Sequence, residues 1–275
     1  MFDSHMTESN FEYTTVSNGE VTVYTTVGPT HGNNVAGHII IIPGWGEPAE
    51  VAKDLAREFS EQNYAASIID YGGLGDLKRA ATCGVDASFP ITERARACAV
   101  AEFIDSLTEN VYIVAHSQGA VTGILAAEPI HKKVRAIILV APAGIINLRF
   151  LRLSAGFLRS FFLQLAEVIK TKDRRGKKYF AAVGWYIGLN PIQLIRDALG
   201  LFNTDILPLI HKVAKYGISV HIMCSATDRV FPLKDIKLRV ADICPVHVLE
   251  GSHDGIFLNS EQSAPQIVRL FDNDH

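Results

Sequence analysis

The chain alternates between short, almost wholly apolar runs and longer stretches in which apolar residues return every three or four positions. Gly37-His-Ile-Ile-Ile-Ile42, Tyr64 to Ile69, Val111 to Val114, Val134 to Val140, Ile218 to Cys224 and Val246 to Leu249 are the short runs. Little polar interruption in so few residues predicts strands buried on both faces, as in a mainly parallel sheet. Between them, Pro48 to Gln62 has Val51, Leu55 and Phe59 along one helical face, and Thr92 to Leu107 has Ala95, Ala99 and Phe103. Thr92 is a candidate N-cap, and a last helix is expected over Ser263 to Phe271.

The first segment has a different rhythm. Apolar and polar residues alternate from Phe11 to Val27 around Asn18-Gly19, the dipeptide suited to a type I′ hairpin turn. After it, strict alternation of strand and helix predicts an α/β fold. That rhythm stops between Ile145 and Tyr216, where Leu148 to Ile169, Tyr179 to Ile187 and Pro191 to Leu201 read as helices with no strand between them. This stretch holds 12 Lys/Arg against 4 Asp/Glu, a local +8 in a chain whose net charge is −3. The expected organisation is a core over 11–144 and 217–275, an inserted helical cap over 145–216, and a disordered 1–10 in which Ser4-His5-Met6 reads as a cloning remnant.

Composition narrows the class. Apolar residues at 48% and charged residues at 20% of 275 suit a globular protein, and the small negative charge argues against a nucleic-acid partner. No segment has the pattern of a signal peptide or the length of a membrane span, so a cytoplasmic location is expected. Cys83, Cys98, Cys224 and Cys244 lack C-x-x-C spacing. Neither a disulfide framework nor a zinc site is expected, and Cys98, Cys224 and Cys244 read as core packing in a reducing compartment.

Candidate chemistry centres on Ala115-His-Ser-Gln-Gly119, between a predicted strand and a predicted helix. It is a variant of the G-x-S-x-G nucleophile elbow, in which small residues two before and two after the serine relieve a strained turn. A serine needs a base, a group that orients the base, and donors for the oxyanion. His253 lies in Gly251-Ser-His-Asp-Gly255, after the last predicted strand. Asp228 lies in Ser225-Ala-Thr-Asp-Arg-Val-Phe-Pro232, after the strand before. Asp254 competes as the acid, but as the immediate neighbour of His253 it is badly placed to reach the ring. Asp70 ends an earlier strand and reads as structural.

The order Ser117, Asp228, His253, together with Pro43-Gly-Trp-Gly46 after a buried strand, resembles the α/β-hydrolases, specifically their cap-domain serine esterases and lipases. The resemblance runs from about Gly37 to the C-terminus outside the insertion. It implies Ser117 as nucleophile, His253 as general base and then acid, and Asp228 as the residue orienting it. It also implies the backbone N–H groups of Trp45 and Gln118 as the oxyanion hole, with Trp45 and cap residues lining the substrate site. Two positions depart from the pattern. Pro43-Gly44 stands where many relatives have His-Gly, which leaves the backbone donor in place, and Ala115 resembles the A-H-S-x-G elbow of some bacterial lipases.

The implied reaction is cleavage of a carboxylic ester of a moderately apolar acyl group through an acyl-enzyme, with no metal or organic cofactor. The same residues suit a thioesterase, lactonase, carbon–carbon bond hydrolase, acyltransferase or perhydrolase, or a non-catalytic binding protein of this fold. The insertion has two readings. One is an amphipathic, membrane-touching lid, with Phe157, Phe161, Phe162 and Leu165 beside Arg149, Arg152, Arg159 and Arg174-Arg-Gly-Lys-Lys178. The other, which is preferred, is a cap packed on the core with the basic run as a solvated loop.

Overall fold

β1 (Phe11–Val16) and β2 (Val21–Thr26) pair antiparallel with Val16 opposite Val21. β2 then pairs antiparallel with β4 (Ala65–Asp70), which joins β1 and β2 to a parallel array. That array is β4, β3 (His38–Ile42), β5 (Val111–His116), β6 (Val134–Val140), β7 (Ser219–Ser225) and β8 (Val246–Leu249), in that spatial order. The protein is represented by a computed structural model that describes residues 11–17, 21–26, 35–71, 83–146, 150–201 and 204–272. The Asn18-Gly19 turn, residues 72–75 of the glycine-rich loop after Asp70, and residues 1–10 lie outside the described residues.

Every residue of β3 and β5 is buried, as their uninterrupted apolar runs predict. Successive side chains go to opposite faces, so each face has its own core. Ile40, Ile42, Ile113, Ala115, Ile137 and Leu139 pack against α2 (Ile91–Ser106), α3 (Gly119–Ala127), α7 (Leu207–Lys215) and α8 (Leu233–Val240). Ile39, Ile41, Tyr112, Val114 and Ile138 pack against α1 (Lys53–Glu61) and α10 (Ser260–Asp272). α4 (Phe150–Thr171), α5 (Arg174–Leu189), α6 (Pro191–Leu201) and α7 all lie in sequence between β6 and β7.

Four sequence expectations are corrected. Cys83 and Cys98 form a disulfide with Cα atoms 5.5 Å apart, because the chain before α2 doubles back onto the helix. Cys98 is therefore a cross-link as well as a buried side chain. Thr92 is not an N-cap: Pro90 is the cap residue, Ile91 the first helical one, and no side chain caps the turn. The basic run 174–178 is not a loop but the start of α5, because Asp173 accepts hydrogen bonds from the backbone N–H groups of Arg175 and Gly176 and so starts the helix earlier. Finally, α8 and the short α9 (Gly255–Leu258) occupy stretches to which the sequence pattern assigned no element. No helix among the described residues is long and apolar enough to cross a membrane.

Candidate active site

The chain runs from β3 outward to β4 and returns to β5 on the other side of β3, so sequence order reverses direction across this pair. Loops at the carboxyl ends of β3 and β5 there flank a crevice, the usual ligand site of an open α/β sheet. The β5 loop carries Ser117, held at φ 51° in the left-handed region. Its N–H donates to the Val140 carbonyl at 2.9 Å, and its carbonyl accepts from Ala143 N–H at 3.0 Å.

The small residues around Ser117 are required sterically. A Cβ on Gly119 would lie 2.4 Å from the Ile42 carbonyl oxygen, and one on Gly123 would lie 3.0 Å from the Ala115 Cβ. The β3 loop passes equally close to the serine: a Cβ on Gly44 would stand 2.9 Å from the Ser117 Cβ. The backbone around Gly44 and Trp45 thus faces the serine from one side, while Gln118, first residue of the turn into α3, adjoins it on the other.

Two more loops bring the remaining candidates. Ser117 Oγ is 3.2 Å from His253 Nε2, and His253 Nδ1 is 2.8 Å from Asp228 Oδ2. All three side chains are buried. The other carboxylate oxygen of Asp228 accepts from Val230 and Phe231 N–H at 2.7 and 3.0 Å, which fixes its plane. Ser225 and Thr227 hydroxyls donate to the Gly251 carbonyl and tie the aspartate loop to the histidine loop. Asp254 occupies the N-cap position of α9 without a side-chain hydrogen bond to that helix, and the His253 ring nitrogens face Ser117 and Asp228.

Electrostatics follow from this geometry. Burial works against a charged His253, but the charge and hydrogen bond of Asp228, together with the charges of Asp254 and Glu47, outweigh it and lift its pKa from 6.5 to about 9. Burial likewise raises Asp228, and the charge and hydrogen bond of His253, with two backbone N–H donors, bring it below the ordinary carboxylate value. The pair therefore favours the imidazolium–carboxylate state, the charge distribution a base reaches when it takes a serine proton.

A buried network that the sequence did not announce lies behind these residues. Glu47 Oε2 accepts from Gly44 N–H at 2.5 Å and from His116 Nδ1 at 2.8 Å, while its Oε1 accepts from the Tyr179 hydroxyl at 2.8 Å. His116 Nε2 donates to the His253 carbonyl oxygen at 3.1 Å. Both His116 nitrogens thus face oxygen atoms, Glu47 Oε2 on one side and the His253 carbonyl on the other, which fixes the ring plane. Burial raises Glu47, and His116, Gly44 and Tyr179 together reverse that and lower it. Only the histidine of Ala115-His-Ser-Gln-Gly119 hinted at this; a single glutamate in a turn has no sequence signature.

On the other side, Glu93 accepts from the Gln118 side-chain amide at 2.5 Å, from Thr122 at 2.9 Å and from Arg96 at 3.0 Å. Arg96 continues to Asp197 of α6 at 2.6 Å. Trp45, half-buried, donates its indole N–H to the Leu194 carbonyl of α6 at 2.9 Å. Ser252, next to His253, donates to Gln164 of α4 at 2.7 Å. Helices from the segment between β6 and β7 therefore touch the loops carrying Trp45 and His253 directly, and reach Gln118 through Arg96 and Glu93 of α2.

Among the described residues, His116, His253 and Asp254 bring one potential metal ligand each within 4.8 Å of one another. A metal ion there would have to displace the hydrogen bonds of both histidines to Glu47, Asp228, Ser117 or the His253 carbonyl. The donor set is therefore committed to the network instead.

A serine, histidine and aspartate on the loops of a mainly parallel sheet, with helices inserted after the sixth strand, define an α/β-hydrolase. The chain belongs to the family described as serine aminopeptidase, S33, whose model matches residues 33–271. No curated protein matches the sequence. Solved structures match in fold: a putative lipase from Acinetobacter baumannii at 16% identity, covering 97% of this chain and 92% of that one with TM-score 0.67. An esterase from Exiguobacterium antarcticum matches at 15% identity, 94% and 98% coverage and TM-score 0.66. A bromoperoxidase from Bacillus anthracis matches at 14%, 96% and 99%, and 0.66. The chain is thus a member of a hydrolase family with the α/β-hydrolase fold.

Proposed function

We propose that the protein is a serine esterase that cleaves a carboxylic ester of a moderately apolar acyl group through an acyl-enzyme. The observation that carries the reading is the buried relay Ser117 Oγ, His253 Nε2, His253 Nδ1, Asp228 Oδ2 at 3.2 and 2.8 Å, set on a positive-φ serine. In this reading His253 removes the Ser117 proton as the hydroxyl oxygen attacks the ester carbonyl. The tetrahedral oxyanion takes hydrogen bonds from the backbone N–H groups of Trp45 and Gln118. His253 then gives its proton to the departing alkoxide, which leaves as the alcohol. Water, deprotonated by His253, attacks the acyl-enzyme, and Ser117 recovers its proton as the acid leaves. Asp228 holds the ring with Nε2 towards the serine and stabilises the imidazolium.

A panel of p-nitrophenyl esters of graded acyl length tests this, extended to aminoacyl p-nitroanilides because the family description names an aminopeptidase. Turnover of esters, its loss in Ser117→Ala, and fluorophosphonate labelling of the unsubstituted protein at Ser117 are expected. Absence of both ester turnover and labelling would overturn the reading, and anilide cleavage without ester preference would move the substrate class to peptides.

A further inference from the structure

Helices α5 and α6 present an apolar face to solvent. From its second turn onward, α5 exposes Ala181, Gly184, Trp185, Gly188 and Leu189, which share one helical stripe. α6 continues it: Leu194 and Asp197 are buried, while Ile192, Ile195 and Leu199 point outward. Trp185, Leu189, Ile192, Ile195 and Leu199 are 71, 62, 75, 62 and 61% exposed. Single exposed apolar residues are ordinary, but five large ones on two consecutive helices form a patch of the kind that marks an interaction site. These side chains do no work in the core, since α6 turns its carboxylate inward and its isoleucines outward. They are distinct from the aromatic and leucine residues singled out from the sequence on α4, of which Phe161 and Leu165 are partly buried against the core and Phe162 is exposed.

The same stripe of α5 begins with Arg174, Lys177 and Lys178, all exposed. The first turn has no acidic residue, so positive charge sits at the helix end where the backbone dipole opposes it. Arg175 and Lys178 reach Glu261 and Glu50 and dock the helix on the core, while Arg174 and Lys177 face outward beside them. One helix of about 24 Å thus runs from a basic end to an apolar end, with an indole at the border.

We propose that this outer face of α5 and α6 docks on an anionic lipid bilayer, with Trp185 and the leucine and isoleucine side chains among the acyl chains and the basic end against the phosphates. A bilayer offers negative charge and hydrocarbon a few ångströms apart, in the arrangement this stripe complements, and indoles favour that boundary. A second copy of the chain complements it poorly. Parallel pairing of α5 sets basic end against basic end, and antiparallel pairing sets basic end against apolar face. The inner sides of the same helices hold Trp45 through Leu194 and Glu47 through Tyr179. Resting on the esterase reading above, docking would bring the site to esters whose acyl chains partition into the membrane.

The test uses full-length Ser117→Ala protein in flotation with vesicles of phosphatidylcholine alone or with about one part in three phosphatidylglycerol. Flotation with the phosphatidylglycerol vesicles is expected. Adding Trp185→Ser, Ile192→Ser and Ile195→Ser should lower the bound fraction by at least about tenfold, and Arg174→Glu with Lys177→Glu should erase the preference for the anionic vesicles. The same surface changes in active protein should leave soluble p-nitrophenyl ester hydrolysis within about twofold, which reads out folding. No flotation, or flotation indifferent to both sets of changes, overturns the proposal. So does a dimer in sedimentation that the triple variant dissociates while vesicles stay unbound, which would assign the face to a second copy. Vesicle binding by the Ser117→Ala protein needs no turnover, so its failure is separate from any failure of the esterase reading.

Discussion

In the proposed reaction His253 is neutral before attack and charged during it, and its surroundings favour the charged state. With a folded pKa of about 9 against an ordinary 6.5, protonation stabilises the fold. That contribution is complete below about pH 6.5 and is lost as pH rises through about 9. Activity by the proposed mechanism has the opposite sign, because only the neutral ring accepts the serine proton. The kcat/KM profile is therefore expected to climb through the alkaline range while thermal stability declines. Asp228→Asn removes the largest influence raising His253, so the inflection should move toward acid while kcat falls by about 10³- to 10⁴-fold. An unmoved inflection in that variant would show that another group sets the profile. Ser117, Asp228 and His253 were legible from sequence because each lies in a short glycine- or turn-marked motif after a strand. Glu47 and Tyr179 were not, since their partnership joins residues 132 positions apart and neither sits in a repeating pattern.

At the scale of elements, the loop after β3 is held by a carboxylate rather than by its own turn. Glu47 alone takes Gly44 N–H, His116 and the Tyr179 hydroxyl of α5. Glu47→Gln keeps the shape but replaces the charge that His116 faces and one acceptor oxygen with an NH2 donor. A fall in kcat between about 10- and 100-fold, with KM changed much less, is expected if the loop positions an oxyanion donor. A lower melting temperature with unaltered kcat would reduce Glu47 to a packing role. Periodicity located most helices to within a few residues, and it failed where a single contact decides the boundary. Asp173 starts α5 before its apolar period begins. Pro90 opens α2 ahead of the threonine that resembled a cap.

Across the whole molecule, the helices between β6 and β7 are linked to the rest of the fold by buried polar contacts. Arg96 is buried between Glu93 of α2 and Asp197 of α6. Burial opposes its charge, and the two carboxylates overcome that and raise its pKa. Asp197→Ala leaves the guanidinium with one carboxylate in a dry setting. It should cost about 3 kcal/mol, near the lower end for breaking a buried pair because Glu93 remains. Chemical denaturation reads this directly, and a cost below about 1 kcal/mol would mean that water reaches Arg96 once α6 loosens.

The sequence by itself determined the strands, the sheet class and the order of the three candidate catalytic residues. These depend on local period and on short motifs, and burial on both faces of a strand leaves a continuous apolar run. Only the tertiary structure decided which residues share a contact across the chain. The Cys83–Cys98 bond, Glu47 with His116 and Tyr179, Arg96 with Asp197, and the outward apolar face of α6 all belong to that group. The helical period of α6 places its isoleucines on one stripe, but whether that stripe meets the core or the surroundings depends on where the helix is docked. Here a buried carboxylate–guanidinium pair takes the inner side and leaves the apolar side outward.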